Sequence, residues 1–383
     1  MPGALAPVDV TGGAVRLAGI LHLEPALAGF SLHRLPAWTQ PQVVDPAMHL
    51  MRGMPSGCRL EVVTDATTLE LDVQLTVVRL DEQPSLGAGF DLVIDGELVD
   101  GVKSTEGTLI TVNMETGEIG MDFGGPTTIR FAGMPAGEKL VEVWLPNAAT
   151  VDLIELRLDG SAAAPPEGVQ RRWIHHGSSI SHCLEATRPT GVWPAVAARL
   201  AGVDLQSLGF GGQCQLDGFT ARTIRDLPAD VISCKLGINV VNGDTMRERT
   251  FLPAVHAFLD TIREGHPDTP LMVVTPIFCP PHEDGIGPSI FSKGKCTSPS
   301  RPAELSVGSL NLKRIRQLHG EIVEARRAAG DANLHLLDGL ELFGPDDAAD
   351  LPDDLHPNPA GYQRIGERFN ALAFGPGGAF AAS

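Results

Sequence analysis

The hydrophobic pattern of this chain changes once, at Ser161-Ala-Ala-Ala-Pro-Pro-Glu-Gly168. Small residues and paired prolines can neither continue a strand nor start a long helix, so the stretch reads as a linker. Before it, alternating or β-branched stretches separated by turn residues cover 58–63, 68–78, 90–94, 109–112, 127–131, 139–145 and 151–158. Several keep period-2 patterning, the mark of a strand with one buried face. Asp95-Gly96, between Ile94 and Glu97, is a hairpin signal. Many short strands at near-regular spacing predict a β-sandwich, jelly-roll-like, over residues 1–165.

After the linker, apolar runs alternate with helical stretches. Strands are expected at 173–174, 203–208, 231–236, 271–275 and 334–337, and helices at 193–200, 216–225, 251–263, 310–328 and from about Pro359. This alternation implies a parallel sheet covered on both faces. The expected fold class is therefore α/β, with a three-layer α/β/α domain over 166–383 behind the β-sandwich. One segment breaks the pattern. From Pro276 to about Pro302 the chain is rich in Pro, Gly and Ser. It follows a predicted strand, so it should leave the sheet's C-terminal edge, where open α/β folds bind ligands.

A net charge of −18 argues against a nucleic-acid partner. No apolar run approaches the roughly 18 residues of a membrane helix. Met1-Pro-Gly-Ala-Leu-Ala lacks the basic and apolar regions of a secretory signal. The six cysteines, at 58, 183, 214, 234, 279 and 296, form no CxxC pair and no regular spacing. Metal ligation and a disulfide framework are therefore not expected, and a cytoplasmic protein with reduced thiols is.

The chemistry lies in the second half. A serine hydroxyl is a weak nucleophile until a histidine takes its proton and a carboxylate holds that histidine. Ser179 follows the first strand of the α/β domain, in Gly177-Ser178-Ser179-Ile180. Asp353-Asp-Leu-His356, in a turn rich in Pro and Asn, can deliver base and carboxylate from one segment. The second predicted strand ends in Gly209-Phe210-Gly211-Gly212, and the third in Gly237-Ile238-Asn239. Glycines after a strand can turn their N–H groups toward a ligand, and an Asn there can aim its amide into a cleft. Successive strand ends of a parallel sheet can converge on one crevice. The expected catalytic residues are thus Ser179, Asp353 and His356. The oxyanion hole is expected from the Ser179 and Gly212 amides with the Asn239 side chain.

The ordered set Gly-x-Ser, Gly, Gly-x-Asn, Asp-x-x-His resembles the SGNH (GDSL) hydrolase family over about residues 170–375, and Trp193-Pro194 adds to the likeness. Two positions depart from it. Ser178 stands where the family usually has Asp, and Val240 follows Asn239 where another Asp is usual. A closer likeness is to two-domain members, with a β-sandwich in front, that serve tetracycline-type polyketide pathways. That resemblance implies transfer of an aryl acyl group from coenzyme A to a hydroxyl of the polyketide. The partners it implies are a small acyl donor and a hydroxyl acceptor, with no cofactor beyond the acyl-CoA donor substrate.

His182, Phe210, Phe278 and His282 are candidates for contacting substrate. His175, His176 and His182 flank the serine, but a strand sends 175 and 176 to opposite faces, so no metal site is expected. Lys235, on a strand that should be buried, should pair or snorkel. Arg222, Arg225, Arg247 and Arg249 could meet donor phosphates or simply be solvated helix charges. The alternative activity is a GDSL esterase, such as a carbohydrate deacetylase. A sugar-binding sandwich would want exposed aromatics, and a chain that is 5% aromatic with a single tyrosine, Tyr362, mildly disfavours that alternative.

Overall fold

Leu69, Leu71, Val73, Leu75 and Val77 take every second position of strand Thr68–Leu80, and each is at most 2% exposed. This alternation commits one face of the strand to a core. Leu60 and Val62, Phe90 and Leu92, and Val141 and Val143 come from other strands to meet it. The result in the N-terminal unit is two sheets over one core. The larger runs Ile119–Asp122, Thr108–Val112, Thr68–Leu80, Ala149–Leu158, Phe30–His33, His22–Pro25, with Ala6–Val8 and Thr127–Ala132 attached. The smaller runs Arg16–Ala18, Arg59–Thr64, Lys139–Trp144, Ala88–Ile94, Glu97–Ser104. Asp95 and Gly96 make the predicted hairpin turn, both with positive φ (48° and 86°).

This computed structural model describes residues 4–80, 85–113, 116, 118–166, 168 and 170–382; Met1, Pro2, Gly3 and Glu167 of the linker lie outside the described residues. One compact unit comprises Met1–Val169, Leu184–Ala195 and Leu205–Ser207, and the other Gln170–Cys183, Val196–Asp204 and Leu208–Ser383. Two short stretches beyond the linker thus group with the strand-rich unit.

A five-stranded sheet runs in the order Asp204–Gly209, Arg172–Gly177, Val231–Lys235, Leu271–Val274, Leu334–Leu337, and its last four strands belong wholly to the second unit. The last four strands pair in parallel. Strand order reverses at Arg172–Gly177, which puts a topological switch point at its C-terminal end, where such sheets open a crevice. Ser179 follows that end. Helices Gly218–Asp226, Glu248–Gly265, Leu312–Ala328 and Pro359–Phe369 stand where the pattern expected them. The segment after Leu271–Val274 is not plain loop: it folds a short helix at Pro280–Glu283 and a hairpin of Ile290–Ser292 with Lys295–Thr297.

Candidate active site

Strand Arg172–Gly177 runs directly into a single helical turn, Ser179–His182. Ser178 caps this turn: its hydroxyl accepts from the Ile180 N–H at 3.3 Å, and the residue is fully buried. A serine therefore holds the capping position where the family's Asp was expected, without adding a charge.

The histidine expected to act as base arrives from the other end of the domain. Asn358 caps helix Pro359–Phe369 by accepting from the Gly361 N–H at 2.9 Å, and its amide donates to Asp350 Oδ1 at 2.9 Å. The turn before it is closed by Asp353, whose Oδ1 accepts from the His356 N–H at 2.6 Å and the Leu355 N–H at 2.9 Å. Its other oxygen lies 2.7 Å from His356 Nδ1. On the far side of the ring, Nε2 lies 3.0 Å from Ser179 Oγ. With Nδ1 protonated toward the carboxylate, Nε2 presents a lone pair to the serine hydroxyl, which donates to it. Burial alone would raise the Asp353 carboxyl. The His356 hydrogen bond and charge, with the two backbone amides, outweigh burial and hold it below the usual carboxylate value. The carboxylate thus stays ionised beside the ring. His356 and Asp353 side chains keep 18% and 26% exposure, so the group is reachable from solvent.

Gly237, at φ +108°, turns the chain from strand Val231–Lys235 into helix Ile238–Gly243; an added Cβ there would press on Ile315 at 2.5 Å. Asn239 sits in the first turn of that helix. Its side-chain oxygen accepts from the Cys214 N–H at 3.0 Å. This fixes the amide and turns its NH2 away, with no protein acceptor for that NH2 among the described residues. The Gln215 side chain joins the two expected oxyanion-hole elements, donating toward Gly212 O at 3.4 Å and Asn239 O at 3.2 Å. Thr245 in turn donates to Gln215 Oε1 at 2.7 Å. Val240, where a second Asp was expected, is 1% exposed and belongs to the apolar interior.

The proline-rich segment is tied to the base turn. Cys296 N–H donates to Asp353 O at 2.7 Å, the Cys279 thiol to Asp354 O at 3.4 Å, and Lys295 pairs with Asp354 at 3.2 Å. Glu283 and Arg316, both about a tenth exposed, form a 2.7 Å ion pair that anchors its helix.

Several expected contacts lie elsewhere. Phe210 is fully buried, its ring 6.3 Å from that of His176, and it serves the core rather than an open pocket. His282 is also fully buried, with Nε2 2.7 Å from Ser289 Oγ inside its own loop. His182 is fully buried, whereas Phe278 is half-buried, with its N–H donating to Phe343 O at 3.0 Å. His176 contacts Leu208 O and Cys214, while His175 meets Ser181 and Ser233. Among the described residues no group of three or more His, Cys, Asp or Glu could hold a metal ion. Arg225 is engaged with Asp226 and Glu264, and Arg247 with Asp244.

Lys235 neither pairs nor snorkels. It is 1% exposed, and its ammonium has no hydrogen-bond partner among the described residues. Burial pushes it down from 10.5 to about 8. Between those values the unfolded chain holds the proton that the folded chain has lost, so this group makes stability rise with pH. Below about 8 the folded protein bears the whole cost. A gap of about 2.5 at 1.36 kcal/mol each is on the order of 3 kcal/mol.

Residues 176–364, which include Ser179, Gly212, Asn239, Asp353 and His356, match the GDSL-like Lipase/Acylhydrolase family. The chain carries a GDSL-like lipase/acylhydrolase domain. It is similar over its length to the solved salicylyl-acyltransferase SsfX3 from a tetracycline biosynthetic pathway, with 28% identity, TM-score 0.79 and 95% of each chain covered. It also shares its fold with a family two carbohydrate esterase from Cellvibrio japonicus, at 14% identity, TM-score 0.59 and 96% of each chain. A family two carbohydrate esterase from Clostridium thermocellum, solved with cellohexaose, follows at 16% identity and TM-score 0.56, covering 83% of this chain and 92% of its own. None of the curated proteins matches the chain. In this GDSL domain, no helix among the described residues is long and apolar enough to cross a membrane, and the same holds for the strand-rich unit.

Proposed function

We propose that this GDSL-family enzyme is a serine acyltransferase that moves an aryl acyl group from an acyl-CoA thioester to a hydroxyl of a polycyclic natural product. The observation that carries the chemistry is the run of contacts from Ser179 Oγ to His356 Nε2 at 3.0 Å and from His356 Nδ1 to Asp353 Oδ2 at 2.7 Å. The likeness of the whole chain to an acyltransferase supports transfer over hydrolysis.

In this reading Ser179 Oγ attacks the thioester carbonyl carbon as its proton passes to His356 Nε2. The carbonyl oxygen becomes an oxyanion, met by the Ser179 and Gly212 amides and the Asn239 NH2. The C–S bond breaks, and the leaving thiolate takes the proton from His356, which leaves an acyl ester on Ser179. The acceptor hydroxyl then gives its proton to His356 and attacks that ester. Collapse forms the product ester, and the proton returns to Ser179.

Water competes for the same acyl-enzyme, so exclusion of water decides between transferase and esterase. The hairpin of the proline-rich segment presents Ile290 and Phe291, 48% and 43% exposed, on a loop bonded to the base turn. Consecutive strand residues leave on opposite faces, so one of the two is assigned to cover the acceptor. The test is the ratio of ester to free acid formed from one acyl-CoA with an added polycyclic hydroxyl acceptor. Ester should dominate for the native protein, and Ile290→Ser with Phe291→Ser should shift the ratio toward acid. Free acid alone from the native protein, with every acceptor, would favour an esterase.

A further inference from the structure

Gly177, two residues before Ser179, has no room for a Cβ, because an added carbon would collide with the Ser181 side chain. Ser181 Oγ lies 2.8 Å from His175 Nε2. On the other side of the ring, His175 Nδ1 lies 2.7 Å from Ser233 Oγ, which also accepts from Trp173 Nε1 at 2.9 Å. His175, Ser181 and Ser233 are all fully buried. The chain of contacts starts on strand Val231–Lys235, crosses strand Arg172–Gly177 and ends on the helical turn that begins at Ser179.

A second serine–histidine contact inside the domain therefore stands beneath the first, sealed from substrate. Burial, reinforced by the neighbouring His176 and Lys235, holds His175 well below the ordinary histidine range, so the ring is neutral. A neutral imidazole donates from one nitrogen and accepts at the other, which suits two hydroxyls. The helical turn it braces has four residues, too few to hold a helix unaided. The placement of Ser179 Oγ against His356 Nε2 depends on how that turn is fixed to the sheet.

We propose that His175 is a positioning residue for Ser179, acting through Ser181 and itself held by Ser233. The proposal rests on Ser179 being the nucleophile. Without the ring, the turn can shift, and a misplacement of about 1 Å at a reacting atom costs on the order of 10²-fold in rate.

The experiment measures the rate at which a fluorophosphonate phosphonylates Ser179, and kcat and KM for p-nitrophenyl acetate, in His175→Phe, His175→Gln, Ser181→Ala and the His175→Phe/Ser181→Ala double variant. His175→Phe and Ser181→Ala should each lower labelling and kcat by roughly 10- to 100-fold, with KM within about twofold, as expected for lost alignment rather than lost binding. The double variant should be no worse than the worse single one, since both break one chain of contacts. His175→Gln, which keeps polar atoms near Nε2, should recover much of the loss. The pH profile should keep its shape, because a neutral His175 contributes no titration. Native-like labelling in folded His175→Phe, or multiplied losses in the double variant, would overturn the proposal. If His175→Phe does not fold, Ser181→Ala decides alone. Failure of the native protein to label at Ser179 would instead overturn the nucleophile on which the proposal rests.

Discussion

Asp353→Asn separates the geometry of the base turn from its chemistry. Asp353 Oδ1 accepts two backbone N–H groups, at 2.6 and 2.9 Å, and Oδ2 faces His356 Nδ1 at 2.7 Å. An asparagine can keep the first duty only by placing its amide oxygen where Oδ1 stands. Its NH2 then faces Nδ1 and donates to it. The ring must accept at Nδ1, so its proton moves to Nε2, where it points at Ser179. The base can no longer accept the serine proton, although the turn keeps its shape. In serine proteases the same exchange lowers kcat by about 10⁴, or about 5.5 kcal/mol of transition-state stabilisation. We expect a loss of that order for p-nitrophenyl acetate hydrolysis by Asp353→Asn, with the melting temperature almost unchanged. Activity within tenfold of native would refute the assigned tautomer and the role of Asp353 with it. A collapse in stability equal to the loss of activity would show that the turn, not the proton, had been lost.

Asn239→Ala should lower kcat by about 10²–10³ in the same assay, the usual effect of removing one oxyanion donor, and an unchanged kcat would take Asn239 out of the site. Lys235→Met should raise stability in urea unfolding at about pH 7, with an advantage that shrinks as pH approaches 10, because the buried ammonium loses its proton over that window. A difference independent of pH would show that the lysine keeps its ordinary value when folded, its ammonium solvated or partnered.

The parts that could be read from the sequence share a physical reason. Strand Thr68–Leu80 announces itself because all five inward positions from Leu69 to Val77 are aliphatic. Helices Glu248–Gly265 and Leu312–Ala328 are long enough for periodicity to speak. Ser179, His356 and Asp353 stand out because their residue types and spacing leave few other uses, and the structure brings all three within hydrogen-bonding reach. Short elements were hidden. Strands His22–Pro25 and Phe30–His33 have four residues each, too few to show a period. Helix Pro46–Gly53 left a local trace, an Asp45 cap with proline at its first position, but no long apolar stripe. Glu97–Ser104 is mostly exposed, with Val102 its one apolar contact to the core, and Ile119–Asp122 is exposed throughout.

Within the site, the hidden features are those made by long-range contacts. Nothing in Gln215 marks it as the bridge between Gly212 and Asn239. The tie between Cys296 and the Asp353 carbonyl uses a backbone amide, to which the sequence is blind. Phe210, just past a strand end, and His282, in the proline-rich segment, are candidates for contacting substrate in the sequence. Their side chains turn inward, a matter of local backbone direction that spacing alone does not fix. In the sequence His175 is one of three histidines flanking Ser179, and its partners Ser181 and Ser233 become visible only when the fold brings them together.

Intact-protein mass spectrometry after brief incubation with a panel of aryl and alkyl acyl-CoAs, followed by peptide mapping, asks whether Ser179 carries the acyl group. A mass gain equal to the acyl group is expected on Ser179, absent in Ser179→Ala and discharged on adding a hydroxyl acceptor with release of the matching ester. A protein that stays unmodified with every acyl-CoA while it hydrolyses simple esters, or a label that sits on Ser178 or Ser181 with Ser179 untouched, would contradict it.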